Sequence, residues 1–364
     1  MFNSSLKLLK KIEKYGFKAY IVGGYPRDLY LGRKSADVDI CTNATPRDLK
    51  DIFADSMLPK EQYGSVTVIY NKIHFEITTF RKDIKYENNR LPVKIEYITD
   101  LKEDLRRRDF TINTLCIDSN GNLMDLLGAT KDLEEGIIKT VGIAKTKIKE
   151  DSLRILRAIR FATTLNFKLD DDLKKAIKKY AYHLSTLSYH RKKEELDKIF
   201  ISPNVSYGIS LVLELGLDKY LELKNLKNIV VTSNSIGIWA QLKVHDRYEF
   251  TSNEKELIEK INEYVDNYNL DNYNIYKTGL YVITIASEIL GKSKKEAVEK
   301  YMSLPIKSIK EIQTNGNEIC NILNISPSKR VKEIYTDLEK KILNNELNNE
   351  HKEIVEYLID NYEG

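Results

Sequence analysis

The hydrophobic pattern along the chain changes character once, near Lys139. Before that point, short apolar runs of strand length alternate with helical segments. Ala19–Val22 is an apolar run that meets Gly23 and Gly24, and it reads as a buried strand entering a turn. Asp37–Ile40 alternates polar and apolar residues with period two, which predicts a second strand. Ser65–Tyr70 and His74–Phe80 are rich in β-branched and aromatic residues. They flank the turn-like pair Asn71 and Lys72, and so predict a hairpin. Pro26–Leu31 and Pro46–Phe53 predict helices with proline in the first turn. After Lys139, the segments Asp151–Leu165, Asp171–Tyr182, Arg191–Phe200 and Tyr207–Leu215 all repeat with helical spacing. The remainder to Gly364 is helix-like, with few strand signals and no repeat of fixed period. The expected fold class is α+β: a mixed sheet with helices, then an all-helical remainder.

Composition narrows the function classes. Hydrophobic residues make up 42% of the 364 positions and charged residues 31%, enough for a sizeable core and unlike a disordered chain. Three cysteines, odd in number and far apart, exclude a disulfide framework and a cysteine-based zinc site, and they fit a reducing compartment. The five histidines contain no His-x-x-x-His pair, which argues against a histidine-rich metal site. The N-terminus lacks the apolar core of a signal peptide, and no run is long enough to span a bilayer. The expectation is a cytoplasmic protein with no membrane association and no implied protein partner. The net charge of +4 is unevenly distributed. Lys139–Lys193 carries 15 Lys and Arg against 5 Asp and Glu, whereas 332–364 carries 4 Lys against 9 acidic residues. A basic middle points to a bound polyanion, with a solvated lysine-rich helix face as the plainer alternative.

The chemistry concentrates in residues 21–43, IVGGYPRDLYLGRKSADVDICTN. Paired glycines let backbone N–H groups approach a phosphate, and the helix start that follows favours an anion. Asp37 and Asp39, two apart on a predicted strand, share one face. Two converging carboxylates repel unless a divalent cation lies between them, and two magnesium ions can clamp the attacking and leaving oxygens of nucleotidyl transfer. Gly-Gly or Asp-x-Asp alone is a weak signal, and each usually marks only a turn or a solvated edge. Their ordered combination with Arg27 and Asp28 is far rarer. It matches neither a P-loop nor a dinucleotide fingerprint.

These residues resemble the class II tRNA nucleotidyltransferases and bacterial poly(A) polymerases, members of the DNA polymerase beta-like nucleotidyltransferase superfamily. Arg107–Asn113 (RRDFTIN) resembles the family's second motif, and Glu150–Phe161 (EDSLRILRAIRF) its nucleotide-selecting helix. Tyr189–Ile199 with Ser202–Asn204 resembles the next segment. The likeness is strong over about residues 15–225 and weak beyond. It implies a catalytic head over 1–138, a helical neck for nucleotide selection over 139–200, and a helical body and tail over 201–270 and 271–364 that bind tRNA at its acceptor stem and elbow. It further implies Mg2+ held by Asp37 and Asp39, with Glu76 as candidate third catalytic carboxylate. Gly24, Arg27 and Arg108 would hold the triphosphate, and Asp109 and Asn113 would orient the ribose.

Asp151 and the arginines at 154, 157 and 160 form a drifting stripe if all lie on one helix. A carboxylate only accepts hydrogen bonds and a guanidinium only donates. Cytosine and adenine pair an amino donor with a ring-nitrogen acceptor, so Asp151 and Arg154 suit CTP and ATP and oppose UTP and GTP. Arg157 and Arg160 would help to hold base or phosphates. A salt-bridged surface helix is the plain alternative.

Within the family, three features favour addition of CCA to tRNA. Glu61–Val68 resembles the tRNA enzymes' Gly-Thr-Val-Thr-Val strand. Arg81–Pro92, polar and Asn-rich, resembles the flexible loop of enzymes that complete the final A. The C-terminal third ends acidic rather than in a basic extension. Poly(A) synthesis, CC-only or A-only addition, and an inactive RNA-binding relative are the alternatives.

Overall fold

The structure, a computed structural model, describes residues 1–35, 37–56, 64–87 and 91–362. The chain divides into two compact units, Met1–Leu226 and Lys227–Gly364.

The first unit is built on a six-stranded mixed sheet. Its strands are β1 (Ala19–Val22), β2 (Asp39–Thr42), β3 (Ser65–Tyr70), β4 (Ile73–Thr79), β7 (Cys116–Ile117) and β8 (Leu123–Met124), in the order β3-β4-β2-β1-β7-β8. The β3–β4 hairpin turns through Asn71 and Lys72, both at positive φ, as a tight two-residue connection requires. Strand alternation divides the buried residues between two faces. Ile21, Ile40, Phe75 and Ile77 pack with Leu8, Leu9 and Ile12 of α1 (Phe2–Glu13) and with Leu49, Ile52 and Phe53 of α3 (Pro46–Phe53). Val22, Cys41 and Cys116 pack on the other face with Leu101 and Leu105 of α4 (Leu101–Arg106). Pro46 opens α3 behind a Thr45–Asp48 capping box.

Helix α2 (Gly24–Tyr30) begins two residues earlier than the proline pattern suggests, with Pro26 still inside the first turn. Strand β2 also differs: it starts at Asp39, so Asp37 lies in the segment that leads into the strand rather than on it. The described residues of Arg81–Pro92 belong to two antiparallel strands, β5 (Arg81–Glu87) and β6 (Leu91–Tyr97), with register irregularities between Asp83, Lys85 and Tyr86. Residues 88–90, and 61–63 of the Glu61–Val68 segment, lie outside the described residues.

Beyond α5 (Ala129–Glu134) and the short parallel pair β9 (Ile137–Ile138) and β10 (Lys168–Leu169), the unit is helical. It contains α6 (Ala144–Glu150), α7 (Leu153–Leu165), α8 (Asp171–Tyr180), α9 (Tyr189–Phe200) and α10 (Val205–Glu214). Asp151, expected to head α7, stands outside it with extended backbone (φ −145°, ψ 107°). Its side chain accepts the Leu153 N–H at 2.9 Å, between the end of α6 and the start of α7. This preference of Asp for helix starts overrides the continuous helical spacing.

The second unit is helical among its described residues. Its longer elements are Ser252–Asp266, Lys329–Leu343 and His351–Tyr362. Trp239 is buried there against Tyr248 and Phe250. Among the described residues, no helix is long and apolar enough to cross a membrane. Cys41, Cys116 and Cys320 are free thiols.

Candidate active site

Strand β1 delivers the chain to Gly23, whose φ of 84° is open to glycine and strained for other residues. Val22 pairs with Asp39 across β1 and β2, so the turn passes directly over that carboxylate. A Cβ at Gly23 would lie 3.1 Å from Asp39 Oδ2. The Gly23→Ala variant should therefore fold and lose about tenfold or more in kcat/KM for CTP, from displacement of Asp39 together with roughly 1–2 kcal/mol of backbone strain. Gly16→Ala is the control. It carries a similar φ of 88° with nothing within 4 Å of its Cβ, and should leave kcat/KM unchanged.

Asp39 and Glu76 are register partners on the parallel strands β2 and β4. Alternation sends both to the face opposite the α1 and α3 core. Burial raises the Asp39 carboxyl above its ordinary value, and the charges of Glu76 and Asp37 raise it further, with Arg108 opposing them. This crowding of hard oxygen donors is the electrostatic setting in which a divalent cation is favoured. Among the described residues, no group of three metal-ligating side chains stands ready-made. The donor set thus fits a cation held by one or two carboxylates and completed by substrate phosphate, the usual arrangement for magnesium.

Asp37 and Asp39 line a cleft of about 400 Å³ together with Gly23, Gly24, Arg27, Asp28, Ser35, Arg108, Asp109, Asn113, Arg157, Arg160 and Phe161. A connected network organises it. Arg27 Nη1 donates to Asn113 Oδ1 at 2.8 Å, and Arg27 Nε donates to Asp28 at 2.9 Å. Asn113 Nδ2 donates to Asp109 Oδ1 at 3.2 Å, the Phe110 N–H donates to the same oxygen at 2.8 Å, and Arg157 Nε donates to Asp109 Oδ2 at 2.7 Å. Burial alone would raise the Asp109 carboxyl. The Arg157 guanidinium and these hydrogen bonds outweigh it and hold the carboxyl well below the usual carboxylate range.

Because the Asp109 carboxyl is depressed in the folded state, its contribution to stability is complete above the ordinary Asp value of 3.8. It is lost as pH falls from there through the lower folded value. Asp109→Ala should lower stability by roughly 3 kcal/mol at pH 7, since Arg157 would lose its buried partner. It should also flatten the acid limb of stability below the ordinary Asp range. Thermal unfolding followed from pH 7 down to pH 3 checks both.

Arg108 is anchored by Asp104, whose Oδ2 accepts from Arg108 Nη2 at 3.4 Å and whose Oδ1 accepts from Arg107 Nε at 2.8 Å. Burial works against the Arg108 charge, and the surrounding groups, Asp104 first among them and Asp39 included, together outweigh it. Arg108 lines the cleft, and its Nε is buried without a protein partner.

Three residues expected at the site are not among those lining the cleft. Glu76 is linked to it through its register with Asp39. Asp151 caps α7. Arg154 donates to Lys147 O at 2.8 Å, to Glu150 at 2.7 Å and to Arg107 O at 3.3 Å. Conversely, the cleft includes Gly23, Asp28, Ser35 and Phe161. Gly23 and Asp28 sit inside the glycine-arginine motif, and Phe161 directly follows the arginine stripe. Each was within reach of the motif reading, whereas nothing in the sequence marks Ser35.

Residues 19–139 match the family model "Poly A polymerase head domain". Residues 166–226 match "Probable RNA and SrmB- binding site of polymerase A", and 247–358 match tRNA nucleotidyltransferase domain 2. The chain is 33% identical to the CCA-adding enzyme of Ligilactobacillus salivarius, over 98% of its own length and 95% of that protein. The chain belongs to the CCA-adding enzyme family. It is also 35% identical to the CCA-adding enzyme of Lactococcus lactis, over 97% of this chain and 96% of the relative. Its backbone follows that of the Bacillus stearothermophilus CCA-adding enzyme in complex with CTP, with a TM-score of 0.82 at 27% identity, covering 99% of this chain and 97% of that one. CCA-adding enzymes are nucleotidyltransferases, and the mixed-sheet head followed by helices is their architecture.

Proposed function

We propose that this chain adds or repairs the 3′-terminal CCA of tRNA from CTP and ATP, without a nucleic-acid template and with release of pyrophosphate. The observation that carries the reading is the joining of Asp37 and Asp39, in one cleft, to four guanidinium groups. Four anchored cations suit a triphosphate.

In this reading Asp37 and Asp39 would hold Mg2+, and the bound ion would supply Lewis acidity for the attacking 3′-hydroxyl and positive charge beside the α-phosphate. Every other role falls to the chain's own groups. Gly23 and Gly24 leave room for phosphate over the start of α2. Arg27, Arg108, Arg157 and Arg160 bind the triphosphate, and their carboxylate anchors keep them from collapsing onto Asp37 and Asp39. Asp109 and Asn113, rigidly linked to each other and to Arg27, orient the ribose. Asp151 and Arg154 select the base, which requires Arg154 to leave some of its carbonyl and Glu150 partners when a nucleotide binds. Glu76 supports the cation site from the adjacent strand.

The basic region Lys139–Lys193 grips the acceptor stem through phosphate and shape contacts, as A-form RNA requires, and the helices beyond it reach the elbow. The finer division into head (1–138), neck (139–200), body (201–270) and tail (271–364) follows these roles. The free thiols and the RNA substrate fit a cytoplasmic setting.

Poly(A) synthesis is the second reading, favoured by the polymerase head-domain match over 19–139. The test is incubation with tRNA lacking its 3′ end, magnesium and each nucleotide in turn. CTP alone should add two residues and CTP with ATP three, while UTP and GTP should add none. A long A tail would favour the polymerase, and binding without extension would reduce the chain to an RNA-binding relative.

A further inference from the structure

Arg27, Arg157 and Arg160 converge on one aromatic ring. Their guanidinium carbons lie 5.3, 5.4 and 4.4 Å from the centre of Phe161, which packs edge-on against Phe110. Three like charges in so small a space repel, so each needs a counter-charge that fixes its direction. For Arg27 it is Asp28 and for Arg157 it is Asp109, both lining the cleft. For Arg160 it is Glu195, which lies on α9 behind the cleft and does not line it.

Glu195 is 5% exposed. Its Oε1 accepts from Arg160 Nη1 at 3.4 Å, and its Oε2 faces Arg160 Nε at 3.3 Å without a formed hydrogen bond. A buried carboxylate this poorly satisfied is a weak source of stability. It is better suited to setting the direction of one guanidinium while leaving that group's remaining donors unsaturated toward the cleft. The contact is longer than the 2.7 Å one between Arg157 and Asp109.

We propose that Glu195 is a positioning residue of the nucleotide site, acting through Arg160, which it holds over Phe161 so that the guanidinium meets the triphosphate. This rests on the reading of the cleft as a nucleotide site. Glu195 touches no reacting group itself, and its effect falls on nucleotide binding equally for both bases, since the triphosphate is common to CTP and ATP.

The test uses Glu195→Gln, which keeps the shape and removes the charge. With tRNA lacking its 3′ end, KM for CTP and for ATP should each rise about tenfold, while kcat stays within about threefold. Inhibition by tripolyphosphate, which has no base, should weaken by a similar factor. Glu195→Asp should give an intermediate KM. In an Arg160→Ala background, Glu195→Gln should add no further increase, because the residue it acts through is gone. Calorimetric binding of tripolyphosphate gives the same comparison if any variant turns over too slowly. The proposal is overturned by an unchanged KM, by equal effects with and without Arg160, by a lowered unfolding temperature with intact tripolyphosphate binding, or by a shift in the CTP-to-ATP ratio. A wild-type chain that fails to extend tRNA would instead remove the functional reading beneath it.

Discussion

Replacing Asp37 and Asp39 together by alanine should reduce nucleotide incorporation by a factor of about 10³ or more, with tRNA affinity nearly unchanged. The expectation follows from where the two groups stand. Both line the cleft, and neither takes part in the Arg27–Asn113–Asp109–Arg157 network that shapes it. Removing them subtracts negative charge from a site whose arginines are already anchored by Asp28, Asp104, Asp109 and Glu195. The triphosphate should therefore still bind, and only the transfer step should fail. The tRNA contacts assigned to the Lys139–Lys193 region are untouched. Single-turnover extension with radiolabelled CTP, alongside filter binding of the tRNA, separates the two quantities. Extension within tenfold of wild type would remove these carboxylates from the chemistry.

If Asp151 and Arg154 select the base as proposed, exchanging them, Asp151→Arg with Arg154→Asp, should cost roughly 10³–10⁴ in kcat/KM for CTP and ATP and raise incorporation of UTP and GTP. Uracil and guanine present a carbonyl beside an N–H, the reverse of cytosine and adenine, so the reversed pair suits them. The structure adds a cost to this exchange. Arg154 is buried and donates to two backbone carbonyls and Glu150, and an aspartate there would face acceptors instead. Asp151→Asn avoids that cost. The amide can still accept the Leu153 N–H and keep the start of α7, yet it can both donate to and accept from a base. It should fold like wild type and lose most of the discrimination between CTP and UTP. An unchanged preference in both variants would exclude the pair as the base reader.

The head was readable because its elements are short and strongly patterned. Ala19–Val22 and Ser65–Tyr70 form strands with those bounds, and Pro46 opens α3 where the local signal put it. What escaped the sequence depended on contacts between distant segments. Nothing local tells Asp37 to stop short of β2, and nothing local says that Arg154 will turn back toward Lys147 and Glu150 while Arg157 and Arg160 face the cleft. Spacing of three suggested one stripe, but the Asp151 cap broke the helix before it and packing divided its members. The hairpin at Arg81 was hidden for a similar reason. Its polar residues read as loop, and the Arg81 N–H finds its acceptor in Asp104, far along the chain. Glu195 carried no chemical signature in sequence, because its meaning lies in the arginine it faces on another helix.

The most direct test of the central claim is anomalous scattering from crystals grown with CTP and manganese in place of magnesium. Metal density is expected at Asp37 and Asp39 beside the nucleotide phosphates, with guanidinium groups around the remaining phosphates. Bound CTP with no metal at those two carboxylates, or metal held elsewhere, would contradict that claim.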